Sequence, residues 1–165
     1  RMAAHAGENV GEPLAPLTIR RWIESSLEGF PARGRVQVEA SEEDAAIVGP
    51  PRALADALRG LVKNALQASP PDESVTLRVA AAGGGVRATV LDRGSGMTPD
   101  VLARVGEPFY TTKGPGEGMG LGLFLTRTLV EQLGGHLELE SEPGKGTTAR
   151  LRLPAALAFK SGGVT

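Results

Sequence analysis

Apolar and polar positions along this chain repeat with two different periods, and the switches between them mark out its elements. Ile19, Trp22, Ile23 and Leu27 share one face at 3.6-residue spacing, which predicts a short helix over Leu17 to Leu27 with Thr18 as its cap. Val36 to Ala40 alternates with period two and reads as a strand, with Ala46 to Val48 as a second short one. Gly49-Pro50-Pro51 opens a long helix in which Leu54, Ala57, Leu58, Leu61, Ala65 and Leu66 recur at helical spacing, until Ser69-Pro70-Pro71 ends it. Ser74 to Ala81 and Val86 to Leu91 form a candidate hairpin across Gly83-Gly84-Gly85. A turn at residues 92–97 leads to a short helix from Pro99 to Val105. A second long helix is expected from Gly120 to Leu133, stopped by Gly134-Gly135, and two strands follow, His136 to Glu142 and Thr147 to Leu153. Residues 1–16, with Gly11-Glu12-Pro13 and Pro16, carry no period and read as a linker or the remnant of a preceding domain. Residues 17–154 read as one domain and 155–165 as a tail. The expected class is α+β: a two-layer sandwich of a mixed, mainly antiparallel sheet with helices on one face.

Composition narrows what such a domain does. At 165 residues one core is affordable. The 23 Gly and 12 Pro together far exceed the ~12% of average usage, and several fall in residues 106–119, which have no period at all. A loop of that length in a compact domain is commonly functional. A formal charge of −1 provides no basic field for nucleic acid or an anionic membrane. With no cysteine there is no disulfide, thiolate metal site or cysteine nucleophile. No apolar run approaches the ~20 residues that span a bilayer.

Five groups of residues carry candidate chemistry. Asn64 sits at the edge of the apolar stripe of the first long helix; its amide oxygen is a hard ligand suited to Mg²⁺ between phosphates, and taken alone a solvated helix asparagine is the commoner reason for such a residue. Asp92-Arg93-Gly94-Ser95-Gly96-Met97 follows a hydrophobic strand; its carboxylate could accept from an adenine amino group, and a plain Asp-Gly turn uses the same letters. Gly116-Glu117-Gly118-Met119-Gly120-Leu121-Gly122-Leu123 runs into a helix, where unpaired N–H groups bind phosphate, although a flexible hinge would look alike. Its spacing matches neither the dinucleotide G-x-G-x-x-G nor a P-loop. Pro108-Phe109-Tyr110 places two aromatics on the long loop, with Lys113 within reach of a phosphate. Gly144-Lys145-Gly146-Thr147 joins the last two strands and is also what a β-turn requires.

Taken in order, Asn64, Asp92-x-Gly94-x-Gly96, Pro108-Phe109-Tyr110, Gly118-x-Gly120-x-Gly122-Leu123 and Gly144-x-Gly146-Thr147 resemble the N, G1, F, G2 and G3 boxes of the bacterial sensor histidine kinases, over about residues 50 to 154. The wording of residues 107–124 is most similar to NtrB- and RegB-type sensors. The resemblance implies the Bergerat fold shared with Hsp90, DNA gyrase B and MutL, with a long ATP lid loop. It implies ATP and Mg²⁺ as cofactors, with Asn64 ligating the metal. Asp92 would bind adenine with Gly94, Gly96 and Met97 beside it, and Thr147 would support the pocket. Phe109 and Tyr110 would belong to the lid, and Gly118, Met119, Gly120, Leu121, Gly122 and Leu123 would line the phosphates. Lys113, with Asn64, is the candidate for a catalytic role.

Two positions depart from the family pattern. Gly60 stands four before Asn64, where the superfamily's ATPases commonly place a water-activating Glu, which argues against efficient hydrolysis. Gln67 stands where a basic residue is common. Neither His5 nor His136 has the surroundings of the phospho-acceptor, so the implied partner is a separate dimerisation and acceptor-histidine domain, with a cognate response regulator beyond it. No nucleic acid or direct membrane contact is expected of this domain. The implied parent is a homodimer, cytoplasmic or anchored in the inner membrane. Two other readings share these residues: a serine kinase of the anti-sigma-factor type, and a non-catalytic regulator that uses ATP to order its lid.

Overall fold

The computed structural model describes residues 11–108 and 122–154. Strand β1 (Ala15–Thr18) leads into helix α1 (Ile19–Leu27), and β2 (Val36–Ala40), β3 (Ala46–Gly49) and helix α2 (Pro51–Ala68) follow. Then come β4 (Val75–Ala82), β5 (Gly85–Leu91), the short helix α3 (Pro99–Arg104), α4 (Gly122–Gln132), β6 (His136–Ser141) and β7 (Thr147–Leu153). Five strands form one sheet in the order β2-β4-β5-β7-β6, and β1 and β3 pair separately. Only β2 and β4 run parallel; the β4–β5, β5–β7 and β6–β7 pairs are antiparallel. The fold is thus the expected α+β arrangement of a mixed sheet backed by helices.

The helices form where sequence period and capping agree. Thr18 Oγ1 accepts from the Arg21 backbone N–H at 3.1 Å, fixing the start of α1. That helix buries Ile19, Trp22, Ile23 and Leu27, and the Trp22 indole N–H donates to the Leu54 carbonyl on α2 at 2.9 Å. Leu54 and Leu58 on α2 are fully buried against the sheet, each contributing about 1.5–3 kcal/mol by removal from water. From the sheet, Val75, Leu77, Val79, Ala88, Val90 and Leu151 alternate into the same core.

The structure adds two things to the pattern-based expectation. Ala15–Thr18 is a strand rather than linker and the start of a helix, pairing antiparallel with β3 in the register Ala15↔Gly49 to Thr18↔Ala46. Pro16 hid it, because proline fits a strand only at an edge or terminus. Just before it, Glu12 reaches across to α2. Its two carboxylate oxygens accept from the Arg52 and Ala53 backbone N–H groups at 2.7 and 3.1 Å. The residue at the cap position of α2, Pro50, makes no side-chain cap bond. Glu12 therefore satisfies N–H groups that the helix itself leaves open, and its charge sits at the positive end of the helix dipole.

Candidate functional site

The C-terminal end of helix α2, the end of β5 and the β6–β7 turn converge at one end of the sheet's strands. The segment after β5 is fastened on both sides. On one side the Ser95 N–H donates to the Ala68 carbonyl at the end of α2, at 3.3 Å. On the other, the Gly144 N–H donates to the Ser95 carbonyl at 2.7 Å. Three glycines permit this. A Cβ on Gly94 would run into the Ala68 carbonyl oxygen, one on Gly96 into the Glu142 carbonyl, and one on Gly146 into the Asp92 carbonyl. Gly96 and Gly146 also have φ of 71° and 83°, a region that side chains disfavour. These glycines are needed for backbone to lie on backbone, a reason that applies before any ligand is considered.

Asp92 stands at the centre of this junction, half-buried. Its backbone N–H donates to the Thr147 carbonyl at 3.0 Å. Its Oδ1 accepts from the Gly94 N–H at 2.8 Å and from the Thr147 N–H at 3.2 Å. Burial raises the carboxyl above its ordinary pKa, and the two bonds from Gly94 and Thr147 partly offset that. Both bonds fall on Oδ1, so the side chain is held in a fixed orientation and Oδ2 is the oxygen these two bonds leave to another donor. Thr147 is anchored in turn: its hydroxyl lies 2.8 Å from that of Ser141, which also donates to the Gly146 carbonyl at 3.0 Å.

Asn64 is half-buried on α2, four residues before Ala68, whose carbonyl holds the segment after Asp92. Four residues of helix rise are about 6 Å, which is the distance along α2 from Asn64 to the carbonyl that holds this junction. Met97 is half-buried where the segment leaves it, and Thr98 then caps α3 through the Val101 N–H at 3.3 Å. Gly122 is exposed at the first position of α4 and Leu123 half-buried behind it. The structure thus brings Asp92, Gly94, Gly96 and Thr147 together at the ends of β5 and the β6–β7 turn, with Met97 next along the chain and Asn64 four residues before the end of α2. Phe109, Tyr110, Lys113, Gly118, Met119, Gly120 and Leu121 lie outside the described residues. His136 is exposed at the start of β6.

Three participants were not legible in the sequence. The Ala68 carbonyl and the Ser141 hydroxyl act through positions whose residue types carry no signal. Arg127 on α4 reaches back to Gly106, after α3, where a Cβ would meet its guanidinium; nothing in the spacing of these two residues announces the contact. Among the described residues no group of three or more His, Cys, Asp or Glu could hold a metal. An amide oxygen such as that of Asn64 is of the hard kind that suits a Mg²⁺ taking most of its ligands from phosphates and water.

Residues 49–157 match the family described as histidine kinase-, DNA gyrase B- and HSP90-like ATPases. The chain belongs to this family. Within it, the curated relatives are sensor kinases. The sensor histidine kinase ZraS of Escherichia coli (strain K12) is 37% identical over 110 residues, which are 67% of this chain and 23% of that protein. The sensor protein DivL of Caulobacter vibrioides is 43% identical over 118 residues, 71% of this chain and 15% of that protein. The chain therefore spans less than a quarter of the length of either. Among solved structures, the mycobacterial sensor histidine kinase MprB is 26% identical with a TM-score of 0.71, covering 84% of this chain and 95% of that one. Full-length ShkA in complex with AMPPNP is 27% identical with a TM-score of 0.72, covering 88% of this chain and 32% of that one. The fold of this chain is that of the histidine kinase ATP-binding domains.

Proposed function

We propose that this chain is the catalytic domain of a two-component sensor histidine kinase. It binds Mg-ATP and passes the γ-phosphoryl group to a histidine on a separate dimerisation domain. The observation that carries this reading is the way Asp92 is held: two backbone N–H groups take Oδ1, which fixes the half-buried side chain and leaves Oδ2 to a further donor. The amino group of adenine is such a donor, and a guanine carbonyl at that position is not, so the site selects adenine. The solved relative ShkA was obtained in complex with AMPPNP, an adenine nucleotide, in support of the same base.

In this reading Asn64 offers its amide oxygen to the metal, and Thr147 keeps Asp92 in place through the paired bonds between the two residues. Bound Mg²⁺ would neutralise charge shared between neighbouring phosphates. The run Gly118 to Gly122, with Met119, Leu121 and Leu123, supplies phosphate contacts by resemblance to the family, and Lys113 is the proposed cation. The protein contributes placement and electrostatics; the nucleophile is the imidazole of the other domain. Residues 17–154 are the proposed catalytic unit, and a response regulator is the proposed recipient downstream.

Calorimetric titration of ATP into the chain, with and without Mg²⁺ and beside GTP, tests the reading. Saturable binding that prefers adenine and responds to Mg²⁺ is expected. Asn64→Asp should retain nucleotide binding, alter its Mg²⁺ dependence, and stop transfer to a separately prepared acceptor domain. Equal affinity for GTP, or wild-type transfer by the Asn64→Asp chain, would refute the assignment.

A further inference from the structure

On the open face of the five-stranded sheet two arginines stand side by side without an ion-pair partner among the described residues. Arg87 on β5 and Arg152 on β7 are directly opposite, and Arg152 is also directly opposite His136 on β6. All three are exposed, and the residues flanking them on their strands, Val86 and Ala88, Leu151 and Leu153, and Leu137, are buried. The row therefore lies on the side of the sheet away from the core. Directly opposed residues hold their Cβ atoms about 4.5–5.5 Å apart, where like charges repel. The neighbouring arginines on this face are neutralised: Arg78 pairs with Glu39 at 2.8 Å and Arg150 with Glu140 at 3.2 Å. Among the described residues, Arg87 and Arg152 have no such partner. The remaining sequence has little to offer them, since residues 1–10, 109–121 and 155–165 contain Glu8 and Glu117 as their only acids.

We propose that this face docks an acidic segment of a partner protein, with Arg87 and Arg152 as adjacent anchors for its carboxylates. A guanidinium binds a carboxylate through two parallel N–H donors, and two such forks side by side suit carboxylates carried on one short stretch of chain. An anion there also removes the repulsion between the two arginines, so the face gains more from an occupant than a neutralised face would. Nucleic acid and anionic membranes fit less well. Glu138 is exposed on the adjoining edge strand and in no ion pair among the described residues, and a uniformly negative polymer or surface broad enough to cover the face would meet it, whereas a short segment lying over β5 and β7 need not. The −1 net charge of the chain likewise provides no long-range attraction for a polyanion.

The test is a nuclear magnetic resonance titration of the isotope-labelled chain with a short peptide alternating glutamate and serine. A glutamine counterpart, a short DNA duplex and phosphatidylserine vesicles serve as comparisons. Saturable shifts confined to residues 86–88, 136–137 and 151–153, seen with the glutamate peptide and weakening with salt, are expected. Arg87→Gln and Arg152→Gln should each weaken that binding roughly tenfold, the loss of one charged hydrogen-bonded contact, and leave the rest of the spectrum unchanged. An equal response to the glutamine peptide, shifts elsewhere, or unchanged affinity in both variants would overturn the proposal. Preferential binding of the duplex or the vesicles would overturn it in favour of a polyanion surface, and concentration-dependent self-association through the same residues would do so in favour of a second copy.

Discussion

Replacing Asp92 with Asn separates the adenine contact from the fold. An asparagine can keep its amide oxygen at Oδ1, accepting from Gly94 and Thr147 as the carboxylate does. Its NH₂ then occupies the place of Oδ2 and presents a donor where the adenine amino group also donates. Losing a hydrogen bond to a charged group costs about 1.5–3 kcal/mol, and leaving a donor unpaired on the ligand costs about 1–3 more. Because Asp92 is half-buried, a combined loss of about 3 kcal/mol is the reasonable expectation, or roughly 150-fold in the dissociation constant of ATP. Stability should move the other way. The folded pKa of Asp92 is raised by burial, so the folded chain binds more protons than the unfolded chain between the ordinary value of 3.8 and the raised one. Wild-type stability from this group is therefore lost as pH rises through that interval. The Asn variant lacks this cost, and should match or exceed wild type in stability at neutral pH, with the gap closing on acidification through the same interval. Calorimetry with ATP and thermal denaturation across pH measure both quantities. ATP affinity within a factor of about three of wild type, in a folded variant, would refute Asp92 as the adenine acceptor.

Other perturbations follow from the same contacts. Gly94→Ala pushes a methyl group into the Ala68 carbonyl and should cost about 1–3 kcal/mol as an overpacked site, read from urea denaturation, with ATP affinity falling because the segment that carries Asp92 shifts. Glu12→Ala removes the cap of α2 and should cost about 1 kcal/mol, a loss that hydrogen exchange would locate in the first turn of α2. Gly60→Ala places a methyl where no described atom lies within 4 Å, in the interior of a helix, and should stabilise the chain by about 0.5–1 kcal/mol; thermal denaturation that shows a loss instead would mean that this face of α2 is already filled.

The elements with strong periodicity were legible from the residues alone. The stripe from Leu54 to Leu66, the proline boundaries of α2 and the alternation in β4, β5 and β7 fix local geometry, because helix and strand place their side chains at different repeats and a core must collect the apolar ones. The order of the family boxes carried the functional reading for the same reason: short motifs at set spacing survive being read one dimension at a time. Strand β1 was not legible, since a four-residue edge strand with a proline at its second position has no alternation to detect and exists only because β3 lies beside it. The purpose of Gly94, Gly96 and Gly146 was only half visible. Gly94 and Gly96 suggested close approach to a ligand and Gly146 a β-turn, and the fold shows that the end of α2, the turn after β5 and the β6–β7 turn press together there. The same holds for Arg87, Arg152 and His136, which are 65 and 16 residues apart in sequence and meet only through the register of three antiparallel strands. Sequence determined which segments form and which side of each is apolar, because those depend on neighbours within a few residues. Tertiary structure decided which carbonyl meets which glycine and which charges stand opposite each other, because those depend on contacts between strands and helices that the linear order does not bring together.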